Sequence, residues 1–261
     1  MDKTLVLISD YGTGDAAFTE VMLRLRSLAP DTYLQPQSVP PFSTINTGYW
    51  IAQIALTKDI PKTFIFSNTA PRKEERKAQE NNKGEKLMYA KLKNGFELMA
   101  INAGFAFSFI KPHIEAFHYV NVDNHGSQFR SRDIYPYAVA KMLQHDASVI
   151  GEKEDVSIIP DYPRSTIASI DGYGNIKTTT RLSEVKDVTP GQKVTVYLNH
   201  QKHVAIFTDG VFNIHEGELA FAPGSTGHDD RFMEIFVRGS SAYHLFALPP
   251  VEDPFTVTPQ V

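Results

Sequence analysis

The fold class is decided by residues 4–15, TLVLISDYGTGD, and by the helical pattern that follows them. The run TLVLIS is almost continuously apolar and partly β-branched, which is typical of a strand buried on both faces of a parallel sheet. The segment DYGTGD is rich in turn residues, and AAFTEVMLRLRSLAP then has apolar residues at helical spacing until Pro30. The order strand, turn and helix predicts one unit of an α/β domain.

The same alternation continues to about residue 150. A helix is predicted over residues 49–55, and strands are predicted over TFIFSN, FELMAIN and AFHYVNV. A second amphipathic helix is predicted over residues 134–146, IYPYAVAKMLQHD. Strands that alternate with helices favour an α/β domain with a mainly parallel sheet, which we place over residues 1–155.

The pattern changes after residues 151–164, GEKEDVSIIPDYPR, a polar and Pro-containing segment that is typical of a linker. Short strand-like runs such as QKVTVYLN, KHVAIFTDG and LAFAPG follow, and Gly, Asn, Asp and Pro separate them. This half has no long helical pattern. These features predict a small all-β, barrel-like domain over residues 165–261.

Composition excludes several classes of protein. The chain has 261 residues, 42% of them hydrophobic, and a net charge of −4, which argues against a nucleic-acid partner held by bulk charge. It has no Cys, which excludes disulfides, zinc–thiolate sites and thiol nucleophiles. No apolar run reaches the roughly 20 residues of a membrane span, and the short N-terminal run lacks a cleavage pattern. We therefore expect a cytoplasmic protein without a membrane partner.

Two acids flank the first predicted turn. Asp10 follows the predicted strand directly, and Asp15 precedes the predicted helix. Ligands of open α/β sheets bind beyond the carboxyl ends of the strands, and ionised carboxylates accept hydroxyl hydrogen bonds, so the pair could hold a ribose diol. The alternative is structural: Asp15 caps the helix and Asp10 closes the turn.

Two polar motifs lie at the ends of later elements in the first half. Asn68 ends the predicted strand TFIFSN, and the charged segment 70–86, which contains Arg76, follows it. The position beyond a strand leaves a site open, but the charge pattern of the segment favours a solvated loop over a functional one. The run FRSRD at residues 129–133 precedes a predicted helix, and taken alone it favours a helix start with surface charges over a site.

The second half offers a turn motif and a possible metal cluster. The run DGYGN at residues 171–175 is first of all a hairpin signal, although Tyr173 and Asn175 could present a ring and an amide to a ligand. The run His228-Asp229-Asp230 favours a polar hairpin loop over a metal site. The nine histidines show no paired-ligand spacing, and we expect no bound metal.

The order of these motifs resembles one known family. D-Y-G-x-x-D after the first strand, a Pro turn with a downstream Arg, F-x-S-R-D before a helix and then D-x-Y-G-N are similar to the S-adenosylmethionine hydroxide adenosyltransferases, which also include fluorinating and chlorinating enzymes. The resemblance covers nearly the whole chain. It implies an α/β domain followed by a β-barrel domain, and no cofactor beyond S-adenosylmethionine itself.

The resemblance also implies an assembly and a reaction. Members of the family are homotrimers that bind S-adenosylmethionine between the first domain of one subunit and the second domain of its neighbour. A nucleophile attacks the 5′ carbon of the ribose, and methionine leaves. The sulfonium is already a good leaving group, so the protein must mainly desolvate and align the nucleophile.

The resemblance assigns binding roles in the first half. Asp10 matches the acid that holds the ribose diol, and Asp15 matches the second acid of that motif. Tyr11 stands where the family usually has Phe. Phe42, in PPFST, falls where the halogenating members place a Trp against the ligand.

In the second half, the resemblance assigns four more residues to substrate binding. Asp171 and Asn175 match positions that bind the amino-acid end of the substrate, and Tyr173 matches an aromatic residue between them. Ser240, in RGSSAYHLF, falls near a segment that lies close to the adenine in the family.

The catalytic positions depart from the family. Its water-using members place Asp, Arg and His around the reacting water. Here the Asp position falls on Ala70 or, with an insertion, on Asn68; the Arg corresponds to Arg76 with shifted spacing, and Arg130 replaces the His. Ser131 replaces a Gly, as it does in the fluorinating enzyme.

Three functions therefore stay open. In the first, Asn68, Arg76 and Arg130 hold a water or hydroxide that cleaves S-adenosylmethionine to adenosine and methionine, with no obvious general base. In the second, the chain binds the nucleoside without chemistry. In the third, Ser131 and Arg130 hold another anion, such as a halide, as the nucleophile.

Overall fold

The computed structural model describes residues 3–58, 60, 62–69, 85–123, 127–210 and 213–260. The chain divides into two compact units, Met1–Asp161 and Tyr162–Val261, which we call unit 1 and unit 2. Both units are built on mixed β-sheets, so the protein is of the mixed α/β class.

The described elements follow the predicted order, with additions. Unit 1 contains β1 Lys3–Ser9, α1 Ala16–Leu28, β2 Thr32–Ser38, α2 Thr44–Ala55, β3 Thr63–Asn68, β4 Leu87–Leu92, β5 Glu97–Ile101, β6 Ile114–Val120, α3 Arg130–Asp133, α4 Tyr135–Leu143 and β7 Ile150–Lys153. Unit 2 contains β8 Ile167–Ile170, β9 Ile176–Arg181, β10 Lys193–Leu198, β11 Gln201–Phe207, β12 Leu219–Pro223, β13 Phe232–Val237, α5 Ala242–Leu245 and β14 Phe255–Pro259. Short 3₁₀ helices cover Lys111–His113, Ala147–Val149, Val156–Ile158 and Leu182–Glu184.

The sheet of unit 1 has the strand order β2-β1-β3-β5-β4-β6-β7. The pairs β1–β2, β1–β3 and β3–β5 are parallel, whereas β4 runs antiparallel to both β5 and β6, and β7 runs antiparallel to β6. The sheet is therefore mixed, not mainly parallel as predicted. The physical reason is the turn at Asn94-Gly95, which joins β4 to β5 as a hairpin; Gly95 has a φ of 85° and donates its N–H to the Leu92 carbonyl at 2.8 Å.

Three strands of unit 1 escaped the sequence analysis: β2, β4 and β7. Strand β7 covers Ile150–Lys153, so the segment 151–164, predicted as a linker, begins inside a strand that pairs with β6. Strand β2, TYLQPQS, is polar and contains Pro36, which disfavours a central strand, but β2 lies at the edge of the sheet, where a missing N–H is tolerated. Strand β4 follows the charged segment and was hidden by it. The predicted strand TFIFSN is confirmed residue for residue as β3, and its central residues are buried.

Helices α1 and α4 cover one face of this sheet, and the core between them is apolar. The buried side chains on this face include Leu5, Leu7, Phe18, Val21, Leu25, Phe64, Phe66, Leu87, Tyr89, Met99, Tyr135 and Val139. Helix α2 begins at Thr44, five residues before the predicted start, because the Ser43 hydroxyl accepts the Asn46 N–H at 3.2 Å and caps it.

The sheet of unit 2 has the order β14-β10-β11-β12-β13-β9-β8, with β11–β12 as its parallel pair and antiparallel pairs elsewhere. Its two edges meet: the Ile167 N–H donates to the Asp253 carbonyl at 2.9 Å, and the Phe255 N–H donates to the Ser165 carbonyl at 2.8 Å. The sheet therefore curls on itself around an apolar interior that includes Val194, Val196, Phe221, Ile235 and Phe246.

None of the described helices combines the length and the apolar character that a membrane span requires.

Gly48 of α2 tests the packing between this helix and the segment after β5. A Cβ at Gly48 would overlap the Phe105 carbonyl oxygen and lie 2.9 Å from the Phe109 ring. Gly→Ala in a helix ordinarily stabilises by up to about 1 kcal/mol, but overpacking costs about 1–3 kcal/mol. We expect Gly48→Ala to lower the free energy of unfolding measured in urea. Gly14→Ala, where a Cβ would meet nothing within 4 Å, should be close to neutral; equal effects of the two changes would contradict this packing.

Candidate functional site

Three strands of unit 1 end side by side. Ser9, the last residue of β1, pairs in register with Ser38 of β2 and with Asn68 of β3. The Ser9 hydroxyl donates to the Asn68 carbonyl at 3.0 Å, and the Thr13 N–H donates to the Ser38 hydroxyl at 2.8 Å. We call this end of the sheet the carboxyl edge. Apolar strands that finish in polar residues at a common edge are the usual position of a ligand site in open α/β sheets.

Asp10 follows β1 at the carboxyl edge. Its carboxylate Oδ2 accepts the Phe42 N–H at 3.1 Å, so two residues assigned to substrate binding lie together. Phe42 has a φ of 64° and a side chain that is 57% exposed. An ionised carboxylate offers roughly four lone-pair sites, so this bond orients Asp10 without exhausting it as an acceptor.

Tyr11 points into unit 1. Its ring meets Phe18 and Phe129 edge to face, with centroids 5.6 and 6.1 Å apart. Burial raises the pKa of the Tyr11 hydroxyl, and the neighbouring hydroxyls of Ser9 and Ser131 oppose that shift. Neither hydroxyl reaches the Tyr11 oxygen with the geometry of a regular hydrogen bond. Tyr11 therefore links β1 to α3 and places a buried, neutral hydroxyl between them.

Arg130 and Ser131 open α3, and Ser131 is buried. The Arg130 guanidinium carbon lies 5.6 Å from the centroid of the Tyr135 ring. Its Nη1 is buried and has no hydrogen-bond partner among the described residues. A buried donor without a partner costs about 1–3 kcal/mol, and more when it is charged. This N–H is therefore suited to a polar or anionic group of a ligand.

The Tyr135 ring lies between the strand that carries Asn68 and the Arg130 side chain. Phe66, two residues earlier on the same face of β3, packs edge to face against Tyr135 with centroids 6.4 Å apart, and Arg130 overlies the same Tyr135 ring. Arg76 and Ala70 lie outside the described residues.

Glu85 is a buried acid that the sequence analysis did not single out. It belongs to the charged segment 70–86, for which a solvated loop was one interpretation, but only 4% of it is exposed, so that interpretation is wrong for Glu85. The signal was present: Glu85 continues the alternation of Leu87 and Tyr89, whose side chains lie in the core under α1 and α4. The sequence analysis classified the segment 70–86 by its many charged residues and so did not recognise that Glu85 continues the strand periodicity.

Asp15 takes the structural role that the sequence left open. Its Oδ1 accepts the Ala17 N–H at 2.8 Å, and it is the N-cap of α1. The residue is exposed. Of the two acids in the first turn, Asp10 is therefore bonded to the Phe42 backbone, and Asp15 is bonded to the helix.

In unit 2, the Asp171 carboxylate holds its own turn together. Oδ1 accepts the N–H groups of Tyr173 and Asn175, each at 3.0 Å, and Oδ2 accepts the Asn175 side-chain amide at 3.0 Å. The Lys177 ammonium lies 3.5 Å from Oδ2 and also pairs with buried Glu234 at 2.8 Å. Burial alone would raise the pKa of Asp171, but the hydrogen bonds from Asn175 and Tyr173 and the Lys177 charge hold it below its usual value.

The two site motifs of unit 2 lie side by side. Gly174, with a φ of 79°, packs against the Ser241 side chain, and its carbonyl accepts the Tyr243 N–H at 2.9 Å. Ser240 is exposed in the turn after β13 and donates its N–H to the Val237 carbonyl at 3.2 Å. Tyr173 is 83% exposed. The turn 171–175 and Ser240 therefore belong to one surface region of unit 2.

No group of three or more metal-ligating side chains is found within the described ranges. Around the run at 228–230, the Asp230 carboxylate accepts the Ser183 N–H at 3.1 Å and the Ser183 hydroxyl at 2.7 Å. These bonds give Asp230 a structural role in the loop.

Comparisons with known proteins identify the fold. No protein-family model matches the chain, and no curated protein matches it. An uncharacterized conserved protein from Thermotoga maritima is similar at 16% identity with a TM-score of 0.74, over 97% of this chain and 99% of that one. A conserved hypothetical protein from Thermus thermophilus is similar at 14% identity with a TM-score of 0.66, over 98% of this chain and 99% of that one. At these identities the likeness extends to the fold alone.

Asp171→Ala tests whether this carboxylate is a structural centre. The change removes the acceptor of two backbone N–H groups and one partner of Lys177, and we expect it to lower the free energy of unfolding at pH 7 by about 1.5–3 kcal/mol. Because the folded-state pKa is lowered, the stabilisation is complete above the unfolded pKa of about 3.9 and is lost as pH falls through the folded value.

The control is Asp229→Ala, at an exposed position in the same unit, which should change the free energy of unfolding by less than about 0.5 kcal/mol. Urea titrations at pH 7 and pH 3 give the measurement. An Asp171 variant as stable as the Asp229 variant at pH 7 would show that the turn does not depend on this carboxylate.

Proposed function

We propose that this chain binds S-adenosylmethionine through the carboxyl edge of unit 1 and transfers its adenosyl group to water, releasing adenosine and methionine. One observation carries the proposal. The same region of unit 1 presents a carboxylate oriented by a backbone N–H, that of Asp10, and a guanidinium whose buried Nη1 has no hydrogen-bond partner among the described residues, that of Arg130. The order of motifs along the chain, which resembles the S-adenosylmethionine hydroxide adenosyltransferases, agrees with this pairing of roles.

Asp10 is suited to the ribose. A cis diol offers two hydroxyl donors, and a carboxylate that is already oriented accepts both without further loss of side-chain freedom. Phe42, whose N–H orients Asp10, also presents an exposed ring beside it, against which a nucleoside can pack.

Arg130 is suited to the nucleophile. An oxygen that attacks the 5′ carbon gains negative charge as it loses its proton, and a guanidinium N–H that has no partner among the described residues stabilises that charge in a buried setting. The Asn68 amide at the end of β3 offers further polar contacts. The C5′–S bond then breaks, and its electron pair neutralises the sulfonium to the thioether of methionine.

Buried Ser131 supports a second candidate, transfer to another anion such as a halide. A halide accepts hydrogen bonds and donates none, so a hydroxyl and a guanidinium N–H are suitable partners for it. Water differs because it must also lose a proton.

We also propose a homotrimer, on the resemblance, with unit 2 of a neighbouring subunit completing the pocket. Since the Asp171 carboxylate is bonded within its own turn, the contribution of that unit would come mainly from exposed Tyr173 and Ser240, together with half-buried Asn175, whose side-chain amide also donates to Asp171. Light scattering is expected to give three times the chain mass, and a monomer that binds nucleoside would contradict this assembly.

One incubation separates the functions. We expect the purified protein with S-adenosylmethionine to release adenosine and methionine in equal amounts, resolved by chromatography. The same incubation with chloride should leave the products unchanged. A chlorinated nucleoside would favour the second candidate, and tight binding with unchanged S-adenosylmethionine would show a binding protein without this chemistry.

Asp10→Ala and Asp15→Ala form a matched pair, since both acids lie in one loop. We expect Asp10→Ala to weaken adenosine binding by about 1.5–3 kcal/mol, roughly tenfold to over a hundredfold, because a charge-assisted contact to the diol is lost. Asp15→Ala should lower stability by about 0.5–2 kcal/mol, as for other helix N-caps, and leave binding unchanged.

Calorimetry with adenosine and 2′,3′-dideoxyadenosine gives the measurement. The dideoxy ligand should bind the wild type as weakly as adenosine binds the Asp10 variant, and should lose little more on that variant. Equal affinity of the wild type and Asp10→Ala for adenosine would remove the main support for a nucleoside site.

A further inference from the structure

We infer that Glu85 is the general base of this reaction and takes the proton of the water that Arg130 holds. The inference rests on the proposed cleavage of S-adenosylmethionine. It supplies the general base that the sequence analysis did not find. The family's Asp position holds no carboxylate here, and an amide such as Asn68 does not accept a proton at neutral pH.

Register places Glu85 at the carboxyl edge. Leu87 of β4 pairs with Ile101, the last residue of β5, and the Asn102 N–H donates to the Lys86 carbonyl at 2.9 Å. Strand β4 is antiparallel to β5, so residues before Leu87 extend past the end at which β1, β3 and β5 finish. Glu85 therefore emerges where Ser9 and Asn68 end their strands.

Alternation places Glu85 on the face that α3 and α4 cover. Lys86 is exposed, whereas Leu87 and Tyr89 lie in the same core cluster as Tyr135. Side chains two apart on a strand share a face. Glu85 thus enters the side of the sheet on which Arg130 meets the Tyr135 ring.

Tyr135 connects the two charges. The ring is buried, with the Arg130 guanidinium above it. Burial raises the pKa of Tyr135 to about 12; the positive charge of Arg130 opposes that shift, and the negative charge of Glu85 adds to it. The charges of Arg130 and Glu85 therefore both act on this buried hydroxyl. In the step that we infer, the reacting water accepts a hydrogen bond from the Arg130 N–H and donates one to the Glu85 carboxylate.

The neighbouring acids are less suited to the role of base. Asp133 binds the Arg132 guanidinium through both of its oxygens, at 2.8 and 2.9 Å. These bonds and the Ser127 hydroxyl lower the pKa of Asp133 to about 2, which makes it a weak proton acceptor. Glu20 binds the same guanidinium at 2.8 Å and has a side chain that is 48% exposed. Of these three acids Glu85 is the least exposed, at 4%, so water is largely excluded around its carboxylate.

The step balances as follows. Water oxygen attacks the 5′ carbon while the C5′–S bond breaks, and the electron pair of that bond goes to sulfur. The water proton goes to the Glu85 carboxylate, which becomes a carboxylic acid and later returns the proton to solvent. Adenosine, methionine and one proton are the products, and no oxidant or further reactant is needed.

Glu85→Gln keeps the shape of the side chain and removes its basicity. We expect kcat for adenosine formation to fall by a factor of about 10²–10⁴, the usual contribution of a general base, with KM little changed. The wild-type kcat should fall at acidic pH as the carboxylate protonates, and the variant should lose that dependence. The control is Glu115→Gln on β6, an exposed acid, which should keep wild-type kinetics.

Azide separates a base from a merely structural residue, because it is already an anion and needs no proton removed. With azide as the nucleophile, Glu85→Gln should form 5′-azido-5′-deoxyadenosine at close to the wild-type rate. If the azide and water reactions fall by the same factor, the base role is overturned. If Glu85→Gln does not fold, Glu85→Asp takes its place: it should lower kcat while keeping the acidic limb of the pH profile, and unchanged kcat would overturn the inference.

The results distinguish this inference from the proposed function. A wild type that cleaves S-adenosylmethionine, with Glu85→Gln within threefold of it, would leave the function standing and remove Glu85 from the mechanism. A wild type that binds S-adenosylmethionine without releasing adenosine would overturn both.

Discussion

Parallel pairing of β1 with both β2 and β3 is the constraint on which the candidate site depends. It brings Ser38, Ser9 and Asn68 into one row, although they are far apart in sequence. Because β1 and β3 are apolar until this row, the polar residues after them gather at one edge. The end of β1 fixes the backbone position of Asp10, and the hydrogen bond from the Phe42 N–H orients its carboxylate. A slip of one residue in β1 would turn Ser9 to the opposite face and move Asp10 away from Phe42.

Buried polar groups mark the site against an otherwise apolar core. The face of the sheet beneath α1 and α4 is built mainly from Leu, Val, Ala and Phe, and Glu85 and the Arg130 Nη1 interrupt it. Burying a carboxylate or leaving a guanidinium N–H without a partner lowers stability, and a structure selected for stability alone would have little reason to keep either group. In unit 2, Asp171 is a charged group with a structural role, since its hydrogen bonds go to its own turn and its ion pair goes to Lys177.

Sequence patterns worked where one physical effect dominated. The buried strand β3 and the amphipathic helix α1 followed from apolar periodicity, and Asp15 was weighed as a cap from its place before a helix. They failed where effects competed. Pro36 argued against β2, which the sheet tolerates only because β2 is an edge strand, and local charge concealed both β4 and Glu85. The prediction of a mainly parallel sheet was wrong because it did not take into account the Asn94-Gly95 turn, which joins β4 and β5 as an antiparallel hairpin.

The sequence by itself determined the α/β class and the position of Asp10 directly after a buried strand. It also determined the change near residue 150 from alternating strand and helix patterns to short strand-like runs. Each of these features depends on residues close together in the chain. Only the tertiary structure decided which polar groups share the carboxyl edge. Strand order, register and the direction of β4 bring Glu85, from a distant segment, to the face of the sheet on which the Tyr135 ring and Arg130 lie. Periodicity within a segment carries no information about the neighbour that segment will pair with. Such contacts therefore arise only when the whole chain packs.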